Sequence, residues 1–218
     1  MDFSIPTESP LPRTAHTSHP WRIHELIPEF RLEDVWPLPT PGGPDDFPSL
    51  VAMIVSGDVS RSSSCLARSL FAIRSVLGKL FGWDGAGSED ATLLARVPAD
   101  LRERRPAPSF RALPFTSLYL TKDEFAAELA NRTMHGVLHL GWVSDGRGGY
   151  RGQMAILVKP NGVFGAAYMA AIRPFRHMIV YPALIKDWER VWRRRDTVRV
   201  REPSNATAAP ADQIRQGG

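Results

Sequence analysis

Between Asn131 and Trp192 the spacing of apolar residues changes from two to between three and four. NRTMHGVLHLGWV and YRGQMAILVKP alternate polar and apolar positions, and the Gly-rich DGRGG between them reads as a turn. Met134, Leu138, Leu140 and Trp142 share one face of the first strand, and Thr133, His135, Val137, His139 and Val143 share the other. On the returning strand Met154, Ile156 and Val158 face one way, opposite to Arg151, Gln153, Ala155 and Leu157. The apolar faces coincide when Ser144 pairs with Tyr150, which sets Leu140 opposite Met154 and His139 opposite Ala155. A one-residue slip would bring Trp142 beside Arg151, so the first register is expected. The face with the two histidines is then expected to be the outer or edge face, its imidazoles hydrogen-bonded or solvated.

After Asn161 the recurrence of Phe164, Tyr168, Ile172, Phe175 and Ile179 predicts a long C-terminal helix, kinked or split at Pro174. Upstream, Phe30 to Leu38 reads as an extended piece and FPSLVAMIV as a short helix, capped by Asp45 or Asp46. Leu66, Leu70, Ile73, Leu77 and Leu80 predict the clearest amphipathic helix of the chain. Residues 84 to 112, rich in Pro and Arg, read as an irregular surface excursion, and FTSLYL as a short strand. The following FAAELANRTMHGVLHLGWV is long for one strand and should bend or break near Asn131. Residues 1–20 and 196–218, rich in small and polar residues and proline, are expected to lack stable structure, leaving one domain over 21–195.

Composition narrows the classes. A hydrophobic share of 43% supports a sizeable core, and the lone Cys65 excludes an internal disulfide and a cysteine-built zinc site. The start of the chain has no basic region followed by an apolar run, so a cytoplasmic location is expected. The longest uncharged run, Pro160 to Ile172, is short of the roughly 20 residues of a membrane span. Net charge is +4, and the one tight basic cluster, Arg190, Arg193, Arg194 and Arg195, reads as the cationic end of the last helix rather than a nucleic-acid site.

His135 and His139 stand four apart, but on a strand that spacing is about 13 Å, too far to chelate one zinc at about 2 Å. No metal site is expected. As acid–base groups the candidates are His135, His139, Glu128 and Tyr168. The expected wall of an apolar pocket is Met134, Leu138, Leu140, Trp142, Met154 and Ile156, with Tyr119 beside it and Phe164, Ile172 and Arg173 on the helix side. Either Arg173 or Arg176 can meet a ligand carboxylate or phosphate, or snorkel to the surface. No dinucleotide, phosphate-loop or nucleophile-elbow motif occurs, and no cofactor is expected.

FRLEDVWPLPTPGGPDDFP, LFAIR with LGKLFGWD, LPFTSLYL, ELANRTMHGVLHLGWV, YRGQMAILVKPNG and YMAAIRPFRHMIVYPAL, in this order over roughly 21 to 185, resemble a bacterial family known only as a domain of unknown function. The order of elements resembles the helix-grip (SRPBCC) superfamily of START domains, birch-pollen-allergen-like proteins and polyketide cyclases. The resemblance implies an α+β fold in which an antiparallel sheet wraps a long C-terminal helix, with two shorter helices after the first strand. It brings no agreed activity. The leading expectation is a small apolar or aromatic metabolite held between sheet and helix. A cofactor-independent cyclase or dehydratase in the same cavity is the alternative, and a structural or interaction protein with a filled core is the third.

Overall fold

The computed structural model describes residues 9–56, 92–103, 107–110, 113–131 and 133–201, the last six by backbone alone. Among these residues five strands form one antiparallel sheet: β1 (Arg31–Pro37), β2 (Thr116–Leu120), β3 (Glu124–Ala130), β4 (Met134–Ser144) and β5 (Tyr150–Pro160), in spatial order β1-β5-β4-β3-β2. The β4–β5 hairpin has the expected register: Ser144 pairs with Tyr150, Leu140 with Met154 and His139 with Ala155. Gly146 and Gly148 take the positive φ angles, 74° and 90°, that close its turn. The long strand sequence breaks at Asn131, whose Oδ1 accepts the backbone N–H groups of Thr133 and Met134 at 2.9 and 3.0 Å.

Among the described residues the helices are α1 (Thr14–Thr17), α2 (Arg22–Leu26), α3 (Phe47–Ser56), α4 (Ala99–Glu103), α5 (Gly162–Phe175) and α6 (Tyr181–Arg201), with a 3-10 turn over Leu93–Arg96. The fold is therefore α+β, with an antiparallel sheet and a long C-terminal helix. Of the two helices expected after the first strand, α3 is in place, and the amphipathic stretch Leu66 to Leu80 lies outside the described residues.

Both faces of the sheet are buried. On the front, Trp36, Phe125, Leu138, Leu140, Trp142 and Met154 form a core with Phe47, Leu50 and Ile54 of α3 and Tyr181, Ile185, Trp188 and Trp192 of α6. The 4-3-4 spacing of the four α6 residues is one helical stripe. Trp142 and Trp192 donate their indole N–H groups to the carbonyls of Gly43 and Pro41 at 3.0 and 2.9 Å, tying down the loop before α3. The back face is covered by Trp21, Ile23, Ile27 and Phe30 and, from the segment 93–101, by Leu93, Val97 and Leu101.

Three expectations are corrected here. The histidine face is interior, because residues 16–30 and the 93–101 segment lie over it. Residues 9–20 are structured: Leu11 N–H donates to the Val35 carbonyl at 2.7 Å, and His16 of α1 is fully buried. Helix α6 runs past 195, so the arginine cluster is not at its end. Arg190 and Arg193 instead pair along the helix with Asp187 and Glu189, each at 2.6 Å, and Arg195 lies 3.4 Å over the Trp192 ring.

Helix α5 continues into α6 through a π turn, Arg176–Val180, in which Tyr181 N–H bonds to the Arg176 carbonyl five residues back. The expected split at Pro174 thus takes the form of a change in winding between Pro174 and Pro182, two residues that each lack the N–H an α-helix uses. Because of this extra residue, the apolar stripe of α6 meets the sheet while most of α5 turns away from it.

Candidate functional site

Two clusters of polar groups and one apolar surface stand out. On the back face His16 Nε2 lies 3.1 Å from His139 Nδ1, and His139 Nε2 lies 3.2 Å from Glu124 Oε2. Glu124 also accepts the Arg22 backbone N–H, at 3.1 Å to each oxygen, at the first turn of α2. Burial pushes the Glu124 carboxyl up to about 7. Burial and then the neighbouring imidazoles lower His16 to about 2, and burial lowers His139 to about 3. Both imidazoles are therefore neutral at pH 7. With Glu124 ionised, His139 donates through Nε2 and accepts at Nδ1, so His16 donates through Nε2. That leaves His16 Nδ1 as a buried acceptor with no partner.

Beside this network, Glu128 accepts Thr92 Oγ1–H at 2.6 Å, Leu93 N–H at 3.0 Å and His135 Nε2 at 2.7 Å. Burial raises its carboxyl pKa, but these donors outweigh burial and the net direction is down. Glu128 is in this way the anchor of the segment that covers the back face.

The second cluster is on the front. Asp34 of β1, 3% exposed, meets His177 Nε2 at 2.5 Å and the Arg176 guanidinium at 3.7 Å. The π turn is clamped to the sheet edge by this pair, and the His177 ring stands edge-on to Trp36, 5.7 Å between centroids. Outside the clamp the chain presents apolar side chains to solvent. Val163 is 88% exposed, Phe164 74%, Met178 77%, Ile179 51% and Phe175 47%. Ala166, Ala167, Ala170 and Ala171 are exposed between them. Only Gly165 and Met169 of α5 are buried, and from Asn161 to Phe175 the single charged residue is Arg173. Large exposed apolar patches mark interaction sites.

The sequence-predicted residues do not converge. His135 and Glu128 pair with each other, and His139 belongs to the sealed His16–Glu124 network. Tyr119 is buried on the same back face, where burial and then the Glu124 carboxylate raise its pKa well above the ordinary value. Tyr168 is half-buried on α5, and burial, opposed by Arg176, raises its hydroxyl to about 12. Leu138, Leu140, Trp142, Met154 and Ile156 do lie on the helix-facing side, but against α3 and α6 side chains. Met134 and Ile172 are half-buried, and Phe164 and Arg173 face outward. A cavity of about 560 Å³ lies elsewhere, near the end of β2, lined by Pro44, Pro48, Leu101, Leu120 and Lys122 among others. Sequence reasoning missed Asp34, which gives no signal in its strand, and the exposure of Val163 and Met178. The low charge of this stretch was the available sign, and it reads equally well as a buried helix.

Among the described residues no group of side chains is arranged to hold a metal ion, and no helix is long and apolar enough to cross a membrane. The fold and its surface define a two-faced α+β domain with an apolar helix set against its sheet edge. Residues 26–183 match the family described as "Protein of unknown function (DUF2867)", and the chain belongs to that family. Neither a curated protein nor a solved structure matches it.

Proposed function

We propose that the protein is an interaction module whose contact element is α5 with the π turn. One observation carries this: five large apolar side chains stand exposed together on a segment in which Arg173 is the one charged residue outside the Asp34 clamp. The helix-grip likeness is part of the proposal, supported by the antiparallel sheet with α6 across its front. The metabolite reading has less support, because Trp36, Leu140, Tyr181 and Trp188 take the space between sheet and helix. The acid–base reading has less as well, since His139 and Glu124 are sealed from substrate.

Methionine oxidation by peroxide tests the module reading on the whole chain. In dilute protein Met178 is expected to oxidise readily, while Met154 and Met169, 1% and 5% exposed, resist. A Met178 as slow as Met154 in the monomer would mean the face is already covered within one chain, and the reading falls. Native mass spectrometry that finds a small molecule bound in a defined ratio would replace it with the metabolite reading.

A further inference from the structure

We infer that the partner of this face is a second copy of the chain, docked α5 against α5 in antiparallel fashion about a twofold axis. This rests on the interaction-module reading. The area is of the right order. With roughly 150–250 Å² on a phenylalanine side chain, the five large residues at their exposures present on the order of 600 Å², the upper end of the largest patch on a typical monomer. The four alanines between them bring the face towards the roughly 800 Å² per partner that a standard-size interface buries.

The layout is also self-complementary. Val163, Ala167, Ala170, Pro174 and Met178 follow one another at spacings of 4, 3, 4 and 4, the last step falling in the π turn with its extra residue. Bulky residues stand at both ends, Val163 and Phe164 at one and Phe175, Met178 and Ile179 at the other, with alanines in the middle. An axis between Ala170 and Ala171 sets Val163 of one copy against Met178 of the other, and Phe175 against Ala166. Large then meets small or apolar meets apolar, as an isologous contact requires. Arg173 alone carries charge on the exposed arc, which disfavours an acidic protein or an anionic lipid surface as the occupant.

Sedimentation and Met178 oxidation across a hundredfold range of chain concentration, for wild type and Ala170→Glu, test this. The wild type is expected to form a dimer, with Met178 oxidation slowing several-fold as dimer accumulates. Ala170→Glu places two carboxylates face to face at the axis. It should stay monomeric with Met178 reactive throughout, and at the lowest concentration, where both chains are monomers, its melting temperature should match that of the wild type because Ala170 is exposed. A wild type that is monomeric at every concentration with Met178 reactive overturns the second copy and leaves the face to another partner. Met178 protected in the monomer overturns both readings. A dimer that Ala170→Glu leaves intact uses another face, and a monomer that floats with anionic vesicles makes lipid the occupant; either overturns the inference.

Discussion

Glu124 holds a carboxyl group where burial raises its pKa from 4.5 to about 7. Between those values the folded chain binds more protons at this residue than the unfolded chain, so its contribution to stability falls as pH rises through that window. His16 and His139 act the other way. Lowered to about 2 and 3, they leave the unfolded chain with more protons below about 6.5, and the fold loses stability as pH drops. Glu124→Gln keeps an acceptor for Arg22 N–H and removes only the carboxylate term. Relative to wild type it is expected to gain on the order of 2 kcal/mol on going from pH 5 to pH 8. Urea unfolding at both pH values measures this, and a difference that does not change with pH would refute the assignment. At the same scale, His139 opposite Ala155 was legible from alternation alone. Its burial was not, because the residues that cover it, His16 and Trp21, lie more than a hundred positions away in sequence.

At the level of elements, α5 comes closest to the start of β4 at Gly165. A Cβ on Gly165 would lie 2.1 Å from the Thr133 carbonyl oxygen, which is held by the Asn161 N–H at 2.8 Å and has little room to retreat. Gly165→Ala should therefore lift α5, cost about 1–3 kcal/mol and expose Met169 to oxidation. Ala167→Ser, on the exposed side, should change neither. Equal melting temperatures for the two variants would show that α5 is not seated through Gly165. The periodicity of Phe164, Tyr168, Ile172 and Phe175 was enough to recognise this helix, and the prolines were enough to expect a change near 174. Which way its apolar side points depends on the π turn and on the clamp of His177 and Arg176 to Asp34, a contact that joins residues more than 140 apart.

At the scale of the molecule, the described residues form one sheet that divides two cores. The front is closed by α3 and α6 and the back by the N-terminal segment and residues 93–101. Removing residues 1–18 would strip the His16–His139 contact, the Leu11–Val35 bond and the Gln153 Nε2 bond to the Ala15 carbonyl, while leaving Trp21 in place. The expected loss is on the order of 3 kcal/mol, the sum of one buried side chain and a few buried hydrogen bonds. A truncated chain with an unchanged denaturation midpoint would mean that the back layer is held by residues 21–30 and 93–101 alone.

Alternation and turn chemistry were sufficient for the β4–β5 hairpin, its register and the break at Asn131, because each of these depends on neighbours in sequence. A capping aspartate was likewise sufficient for α3, and helical spacing for the existence of a C-terminal helix. What tertiary structure decided was sidedness. Sequence alternation states that two faces differ, but not that short segments from elsewhere will cover the more polar one. A helix that is apolar nearly all round does not state which side it will bury. Those outcomes were set by long-range packing, which put Leu138, Leu140, Trp142 and Met154 in one core with α3 and α6 and left the α5 face outward.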